Sequence, residues 1–236
     1  DNTQQFAWTS SWGVSTRMIG ALIMMHSDDD GLVCPPCVAP QQVVIIPVTP
    51  KEDTRQAVLD HCEELARTLR AKTFHGQPLR VLVDRRDLGG GAKKWEWIKK
   101  GVPVRLEIGP RDLEKRRDQA PNEKTFLPET ELADTITDIL QNIQDTLLNK
   151  AVAFRDAHIR PASTLRELEE NFSGEGDADW LQVPWDGSPE EEEELAKRLR
   201  ISIRCIPLGE LGHGDPAPCI LTGRLTERRV LWARSY

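Results

Sequence analysis

An alternating stretch near the middle of the chain places the strongest constraint on its fold. From residue 102 to residue 108, apolar and polar side chains alternate. A period of two residues is typical of a β-strand that buries one face and exposes the other. A glycine–proline pair then ends the strand. Its open face presents Arg105 and Glu107, with Asp112 just beyond the end, and periodicity alone indicates an ordinary half-exposed strand.

The sequence on either side predicts an α/β fold. Residues 43–48 form a continuous apolar run, as expected of a strand that is covered on both faces. Apolar residues at helical spacing follow it, and a second strand is expected at 79–83. A long helix is expected from about residue 129 to residue 154, with Phe154 on its buried side. Strands that alternate with helices in this way predict a mostly parallel or mixed sheet with flanking helices.

Composition along the chain indicates three parts. Residues 1–41 read as a piece of something larger that ends in a Pro-rich linker, and residues 42–158 form the α/β domain. Residues 159–236 are expected to form a smaller α+β unit. Within it, Ser163-Thr164 and Ser188-Pro189 have the residue types that begin helices, and the glutamates after Pro189 suit the positive end of a helix dipole.

The net charge of −7 is unevenly distributed. Residues 167–194 contain twelve acidic residues and no lysine or arginine, so the remainder of the chain carries +5. Residues 93–117 contain nine basic and four acidic residues. A local basic patch of this kind is typical of a surface that binds a phosphate backbone. A solvated surface of mixed charge is the alternative on charge alone.

The five cysteines argue against a disulfide framework, because their number is odd and the chain is long. Cys34 and Cys37 form a C-x-x-C pair, but it lies in the Pro-rich segment with no helix pattern after it, so we interpret it as incidental. No apolar run reaches the ~20 residues of a membrane span, and no leader-like segment is visible. These features predict a cytoplasmic protein.

A zinc site in the last part of the chain is a weaker possibility. Cys205, His213 and Cys219 could supply three ligands, with Asp186 or Glu191 as the fourth. Cys205 lies in an apolar strand, however, and is expected to face the core. The sequence therefore favours a unit without zinc.

Arg17 is the candidate for phosphate binding in the first part of the chain. A guanidinium is planar and permanently charged, and it donates hydrogen bonds in pairs, as phosphate recognition requires. A single arginine is weak evidence, and without context a surface arginine is the simpler interpretation.

A resemblance to a known family gives these segments a context. Residues 9–21, with the sequence TSSWGVSTRMIGA, resemble motif 3 of class II prolyl-tRNA synthetases of the archaeal/eukaryotic type, and the similarity continues to residue 41. Residues 101–112 are similar to the signature strand of that family's anticodon-binding domain. Residues 203–207 and 233–236 resemble its extra C-terminal domain. The resemblance covers essentially the whole chain, but only the C-terminal part of such an enzyme.

The resemblance implies a proline–tRNA ligase, which activates proline with ATP to prolyl-adenylate and transfers it to tRNA(Pro). It implies that Arg17 is the catalytic residue that contacts the ATP phosphates, and that Trp12 and Gly13 line the amino-acid pocket. Ser15 matches a position associated with a magnesium ion. The partners implied are tRNA(Pro), proline and ATP, and the full-length enzyme is expected to be a homodimer. The fragment alone is expected to be inactive.

In the anticodon-binding domain, the resemblance implies that Arg105 and Asp112 read guanines of the proline anticodon. This suits their chemistry, since arginine donates to O6 and N7 of guanine and a carboxylate accepts from its N1 and N2 edge. Two alternatives remain open at this point. The chain could be a non-catalytic tRNA-binding module or truncated paralogue, or a pure interaction domain.

Three departures from the family pattern have consequences. Ile98 replaces an anticodon-reading glutamate, so one polar reader is lost. After Lys115 the family has a further strand, which is either deleted here or missing from the sequence. Some family members bind zinc through four cysteines, and the resemblance matches these to Asp186, Glu191, Cys219 and Thr222. Only one of the four is a cysteine here, which predicts that no zinc is bound.

Overall fold

The computed structural model describes residues 4, 7, 9–49, 52–115, 117–120, 125–174 and 176–234. They form two compact units, residues 1–149 and 150–236. The sequence-based boundaries at residues 41 and 158 stay predictions. Among the described residues, no helix combines the length and the apolar character needed to cross a membrane.

The first unit is built on a short parallel sheet. Its elements in chain order are α1 (Arg17–His26), β1 (Val43–Pro47), α2 (Glu52–Arg70), β2 (Thr73–Phe74), β3 (Gln77–Pro78), β4 (Val81–Val83), α3 (Gly90–Lys99), β5 (Val104–Ile108), α4 (Pro110–Lys115), β6 (Arg117–Ala120), β7 (Thr125–Pro128) and most of α5 (Glu129–Ala157). The three sheet strands lie in the order β4-β1-β5, and Val43 is opposite both Val81 and Val104. The predicted α/β class is confirmed.

The alternation in β5 is the one that the sequence predicts. Val104, Leu106 and Ile108 are buried, and Arg105 and Glu107 between them are half-buried. The apolar side chains join a core that α2 and α5 cover on one face of the sheet. The opposite face packs Val44 and Ile46 of β1 against Trp97 of α3, so both faces of the central strand are covered.

The predicted long helix is α5, which runs three residues past the expected end. Leu132, Ile136 and Leu140 are fully buried against the sheet. The prediction for Phe154 is wrong, because its side chain is 68% exposed and stacks on the ring of His158 at 4.1 Å. Phe154 lies beyond Asn149, the last residue of the first unit, so the helical period of α5 continues past the core that its first turns help to form.

The Pro-rich segment before β1 is bound to the first unit along its length. The amide of Leu32 donates to the carbonyl of Lys99 at 3.2 Å, and the amide of Cys34 donates to the carbonyl of Gly101 at 3.2 Å. Gly101 has φ +69°, and a Cβ there would lie 2.3 Å from the Leu32 carbonyl oxygen. This close approach is possible only because Gly101 lacks a side chain.

Arg80 fixes the rest of the same segment. Its guanidinium donates to three backbone carbonyls of this segment, those of Pro36 (3.0 Å), Cys37 (3.2 Å) and Ala39 (2.8 Å). Cys34 is buried, and burial raises the pKa of its thiol while Arg80 opposes that rise. The Pro-rich segment is therefore held against the sheet and α3 by hydrogen bonds to its backbone.

A strand follows α4, at the position where the resemblance predicts that a strand is either deleted or missing from the sequence. β6 pairs antiparallel with β7, with Arg117 opposite Pro128 and Ala120 opposite Thr125. Residues 116 and 121–124 lie outside the described part of the chain.

The second unit has a mixed sheet packed against two helices. Its elements are β8 (Ile159–Pro161), α6 (Leu165–Phe172), β9 (Trp180–Pro184), α7 (Pro189–Leu199), β10 (Ile201–Cys205), a 3₁₀ turn (Gly209–Leu211), β11 (His213–Pro218) and β12 (Leu225–Arg234). The strand order is β10-β12-β9-β8, with β11 also on β12, and only the β8–β9 pair is parallel. Trp185 and Trp232 pack edge to face in the core of this unit, with 5.2 Å between their ring centroids.

Both predicted helix starts are confirmed. Thr164 and Ser188 are the N-caps of α6 and α7, and each forms a capping box. In the second box, the Ser188 amide donates to Glu191 Oε2 at 2.7 Å and the Glu191 amide donates to Ser188 Oγ at 3.3 Å. Two backbone donors at the helix start are satisfied in this way.

The prediction that Cys205 faces the core is wrong, since its side chain is exposed. The register of β10 against β12 shifts between Ile203 and Cys205. Such a bulge changes the alternation of the strand, which a count along the sequence does not reveal.

Candidate nucleic-acid interface

Arg105 lies on the side of β5 that faces α3. Its Nη1 donates to the carbonyl of Val102 at 3.2 Å. On the same face, Lys94 Nζ of α3 lies 3.8 Å from Glu107 Oε1. Burial lowers the pKa of Arg105 and the Glu107 carboxylate opposes that change, but an arginine stays charged at neutral pH. The site therefore holds a fixed, half-buried cation.

Asp112 lies in the first turn of α4, directly after β5. Its Oδ2 accepts a hydrogen bond from the amide of Gly109 at 2.7 Å. The carboxylate thus stabilises the start of a short helix, in addition to any role toward a ligand. About 10 Å of strand, at roughly 3.3 Å per residue, separates Arg105 from the end of β5, beyond which Asp112 lies.

A polar network at the carboxyl end of β4 was not predicted from the sequence. Asp84 is buried, and its Oδ2 accepts from Trp97 Nε1 at 2.8 Å and from Arg86 Nη2 at 2.8 Å. Its Oδ1 accepts from Arg86 Nε at 2.9 Å. The side-chain hydrogen bond from Arg86 is the main reason that the pKa of Asp84 lies well below its usual range, although burial opposes it. An aspartate directly after a buried strand is the signal that could have identified it.

The network continues to the outer side of α3. Arg86 Nη1 donates to Glu96 Oε2 at 2.6 Å, and Lys100 Nζ donates to Glu96 Oε1 at 2.6 Å. Lys100 also lies over the Trp97 ring, 4.6 Å from its centroid. Both carboxylate oxygens of Glu96 therefore accept a hydrogen bond within this network.

The predicted basic stretch is only partly a surface patch. Lys93 is buried, with its Nζ donating to the carbonyl of Asp84 at 3.0 Å, so it serves the fold. Among residues 93–112, whose exposure the structure describes, the exposed cations are Lys99, Lys100 and Arg111. These three, with the half-buried Arg105 and Lys94, make the first unit's α3–β5–α4 region the candidate nucleic-acid interface.

The residues predicted to bind ATP and proline lie on an exposed segment. Trp12 is 95% exposed, and Gly13 and Ser15 are exposed as well. Arg17 is the first residue of α1. At the start of this helix, the Met18 amide donates to the Ser15 carbonyl at 3.1 Å. The described residues do not enclose these side chains in a pocket.

The four positions that the resemblance matches to zinc cysteines are engaged with the protein itself. Cys219 Sγ accepts from the Asp186 amide at 3.2 Å, and Asp186 Oδ2 accepts from Arg224 Nε at 2.7 Å. Burial raises the pKa of Cys219, but hydrogen bonds from Thr222, Leu221 and Asp186 outweigh it, so the thiol pKa is lowered. No cluster of three metal-binding side chains occurs in the described part of the chain. One thiol and two engaged carboxylates do not fit a thiolate zinc site, and the absence of zinc stays a prediction.

Two segments of the chain match known domain families. Residues 42–139 match the anticodon binding domain family. Residues 170–236 match the family described as prolyl-tRNA synthetase, C-terminal. Residues 42–139, which include the α3–β5–α4 region, are therefore similar to anticodon-binding domains. Residues 170–236 are similar to the C-terminal domain of prolyl-tRNA synthetases.

Curated relatives agree with this assignment. The chain is 88% identical over 242 residues to the proline–tRNA ligase of Akkermansia muciniphila, with 100% of this chain and 48% of the relative covered. It is 47% identical to proline–tRNA ligase 2 of Anaeromyxobacter dehalogenans, with 99% and 48% covered, and 42% identical to the proline–tRNA ligase of Protochlamydia amoebophila, with 98% and 48% covered. The chain spans about half the length of these relatives.

Proposed function

We propose that this chain is the anticodon-recognising and motif 3 part of a proline–tRNA ligase of the archaeal/eukaryotic type. The whole protein would activate proline with ATP to prolyl-adenylate and transfer it to tRNA(Pro). The observation that carries the proposal is the 88% identity to a proline–tRNA ligase over the full chain. The order of the two domain families along the chain supports it.

Arg105 and Asp112 are the proposed readers of the anticodon. The half-buried guanidinium of Arg105 is held by the Val102 carbonyl, so little side-chain entropy is lost when it binds a base. Asp112 uses Oδ2 to cap α4, and a carboxylate can accept further donors. Together they offer the donor pair and the acceptor that recognition of guanine requires.

Arg17, Ser15, Trp12 and Gly13 are the proposed contributions to the ATP and proline site. Arg17 would bind a phosphate and stabilise the charge that develops as pyrophosphate leaves. Ser15 would lie near the magnesium ion, and Trp12 and Gly13 would form one wall of the amino-acid pocket. Their exposure in the described structure fits a site whose other walls come from a longer protein. The five free cysteines support a cytoplasmic location, and a homodimer of the full-length enzyme remains part of the proposal.

The test separates anticodon reading from adenylate formation in the full-length enzyme. Arg105→Ala should lower kcat/KM for tRNA(Pro) charging about 5- to 150-fold, the equivalent of 1–3 kcal/mol for a bidentate base contact. ATP–pyrophosphate exchange should be unchanged. Arg17→Ala should slow the exchange reaction itself. Asp112→Asn keeps an acceptor for the Gly109 amide, so it should impair charging without unfolding α4. Arg67→Ala is the control, because Arg67 is an exposed arginine of α2, outside the candidate interface.

Two outcomes would overturn parts of the proposal. If charging and exchange fell together in Arg105→Ala, the strand would have a structural role only. If exchange were unchanged in Arg17→Ala, the phosphate-binding role of Arg17 would be wrong. A full-length protein that bound tRNA(Pro) but formed no adenylate would be the non-catalytic tRNA-binding module.

A further inference from the structure

Trp95 is a large aromatic side chain that the packing of α3 does not use. The helix buries Lys93 and Trp97 toward the sheet, whereas Trp95, on another side of the helix, is 54% exposed. Ile98, three residues further, is half-buried and is its neighbour on the helix surface. An apolar surface made of Trp95 and Ile98 therefore lies at the edge of the candidate interface.

The helix surface beside Trp95 is open. A helical side chain covers the turn that precedes its own Cα, and the residues one turn before Trp95 are Gly91 and Ala92. A Cβ built on Gly91 has nothing within 4 Å. Gly91 and Ala92 therefore add no bulky side chain beside the indole.

The charges around Trp95 favour a polyanion. Residues 93–100 contain four lysines and one glutamate. The glutamate, Glu96, is paired with Arg86 and Lys100, and Glu107 of the neighbouring strand lies 3.8 Å from Lys94. Lys99, one helical turn after Trp95, is exposed. An exposed aromatic ring with lysines around it is the combination that binds unpaired nucleotides, by stacking on the base and neutralising the phosphates.

We propose that Trp95 stacks on an unpaired base of the anticodon loop of tRNA(Pro). The proposal rests on the proposed function and deepens it, because it adds a contact that contributes affinity without reading base identity. Every base has a π-face, so the contact tolerates sequence changes. In this domain Arg105 and Asp112 supply specificity, and Trp95 holds the loop against α3.

The experiment measures binding of the full 236-residue chain to an anticodon stem-loop RNA of tRNA(Pro). Trp95→Ala should weaken binding about 5- to 150-fold, since stacking on an aromatic side chain is worth about 1–3 kcal/mol per base. Trp95→Phe should retain most of the affinity. Trp180→Ala is the matched control, because Trp180 is 40% exposed and lies in the second unit. Unchanged thermal unfolding midpoints of the variants exclude misfolding as the cause.

Salt dependence distinguishes stacking from charge. Trp95→Ala should leave the slope of log K against log salt unchanged, because the indole releases no counterions. Lys99→Ala should reduce that slope by about one. A fully paired RNA helix of equal length should bind wild type and Trp95→Ala with equal affinity, since it offers no unpaired base.

The outcomes separate this inference from the proposed function. Equal stem-loop affinity of wild type and Trp95→Ala, with weaker binding of Arg105→Ala, would overturn the stacking contact and leave anticodon recognition standing. Loss of affinity in Trp95→Phe as large as in Trp95→Ala would also overturn it. Absence of any salt-dependent binding by the wild-type chain would overturn the proposed function and the inference together.

Discussion

Asp84 combines almost complete burial with a full set of charged and polar partners. Arg86 and Trp97 donate to its two oxygens, and the buried Lys93 donates to its backbone carbonyl. A buried carboxylate is costly without such partners and stable with them. This residue fixes the loop after β4 to α3, and so it determines where α3 lies over the sheet.

The pH dependence of stability should reveal this carboxylate. The pKa of Asp84 is lowered in the folded protein, whereas an aspartate in an unfolded chain has a pKa of about 3.9. The contribution of Asp84 to the free energy of unfolding is therefore complete above that pH and is lost as the pH falls toward the pKa of the folded protein. Asp84→Asn should lower the free energy of unfolding at pH 7 by about 1–3 kcal/mol, and the difference from wild type should narrow below about pH 4.

Urea unfolding of both proteins at pH 7, 5 and 3 provides the measurement. Asp29→Asn, at an exposed turn position, is the control and should follow the wild-type curve. A constant difference between wild type and Asp84→Asn at all three pH values would contradict the assignment.

Single residues also show where sequence reasoning succeeds and where it stops. The alternation around Arg105 predicts its strand and its half-buried side, because a period of two depends only on local order. The capping contact of Asp112 and the exposure of Cys205 depend on a helix start and on a bulge. Arg80 binds carbonyls more than forty residues away, and no local pattern indicates such a contact.

At the scale of elements, the helix starts are the best-predicted features. Thr164 and Ser188 have the residue types that cap helices, and each is followed three residues later by a glutamate. A capping box is formed by residues within four positions of one another, so a local sequence pattern is enough to predict it. The start of α3 at Gly90 has no such local signal. Its glycines favour a loop, and the contacts that hold α3 in place come from Asp84 and the sheet.

The capping box of α6 offers a closely matched comparison. Thr164→Ala removes the hydroxyl that accepts from the Glu167 amide at 3.2 Å, and it should lower the free energy of unfolding by about 1 kcal/mol. Ser163→Ala, one residue earlier, should have no measurable effect, because only the backbone amide of Ser163 enters the box. Chemical denaturation of the two variants in parallel decides the point, and equal destabilisation would show that the hydroxyl of Thr164 is not what stabilises the helix start.

At the scale of the whole chain, the two buried cores contrast with the first helix. Each unit has its own buried core, whereas α1 has no buried residue, and its exposed apolar side chains include Met18, Ile19 and Met24. The fold class and the order of elements could be predicted because the apolar patterns of both units are local and regular. The attachment of residues 31–39 to the first unit could not, since it depends on backbone carbonyls that every residue possesses.

Gly101 provides the test of that attachment. Gly101→Ala would place a Cβ 2.3 Å from the Leu32 carbonyl oxygen at a φ of +69°, so the pairing between residues 32–34 and 99–101 should separate. The cost should be at least about 1 kcal/mol for the backbone conformation alone. Gly91→Ala, whose Cβ has open space in a helix, should be neutral or slightly stabilising. Thermal unfolding of both variants provides the measurement, and a neutral Gly101→Ala would show that the close contact is not required.

The anchored amide of Leu32 also sets a length scale. Only residues 27–31 separate it from the end of α1 at His26, and a stretch of that length spans at most about 20 Å even when fully extended. The turn closed by Asp28 and Gly31 shortens it further. Residues 27–31 are therefore a short tether, and the end of α1 cannot lie further than this distance from Leu32, which is paired with the end of α3. A wider separation of α1 from α3 would require the hydrogen bonds donated by the Leu32 and Cys34 amides to break first.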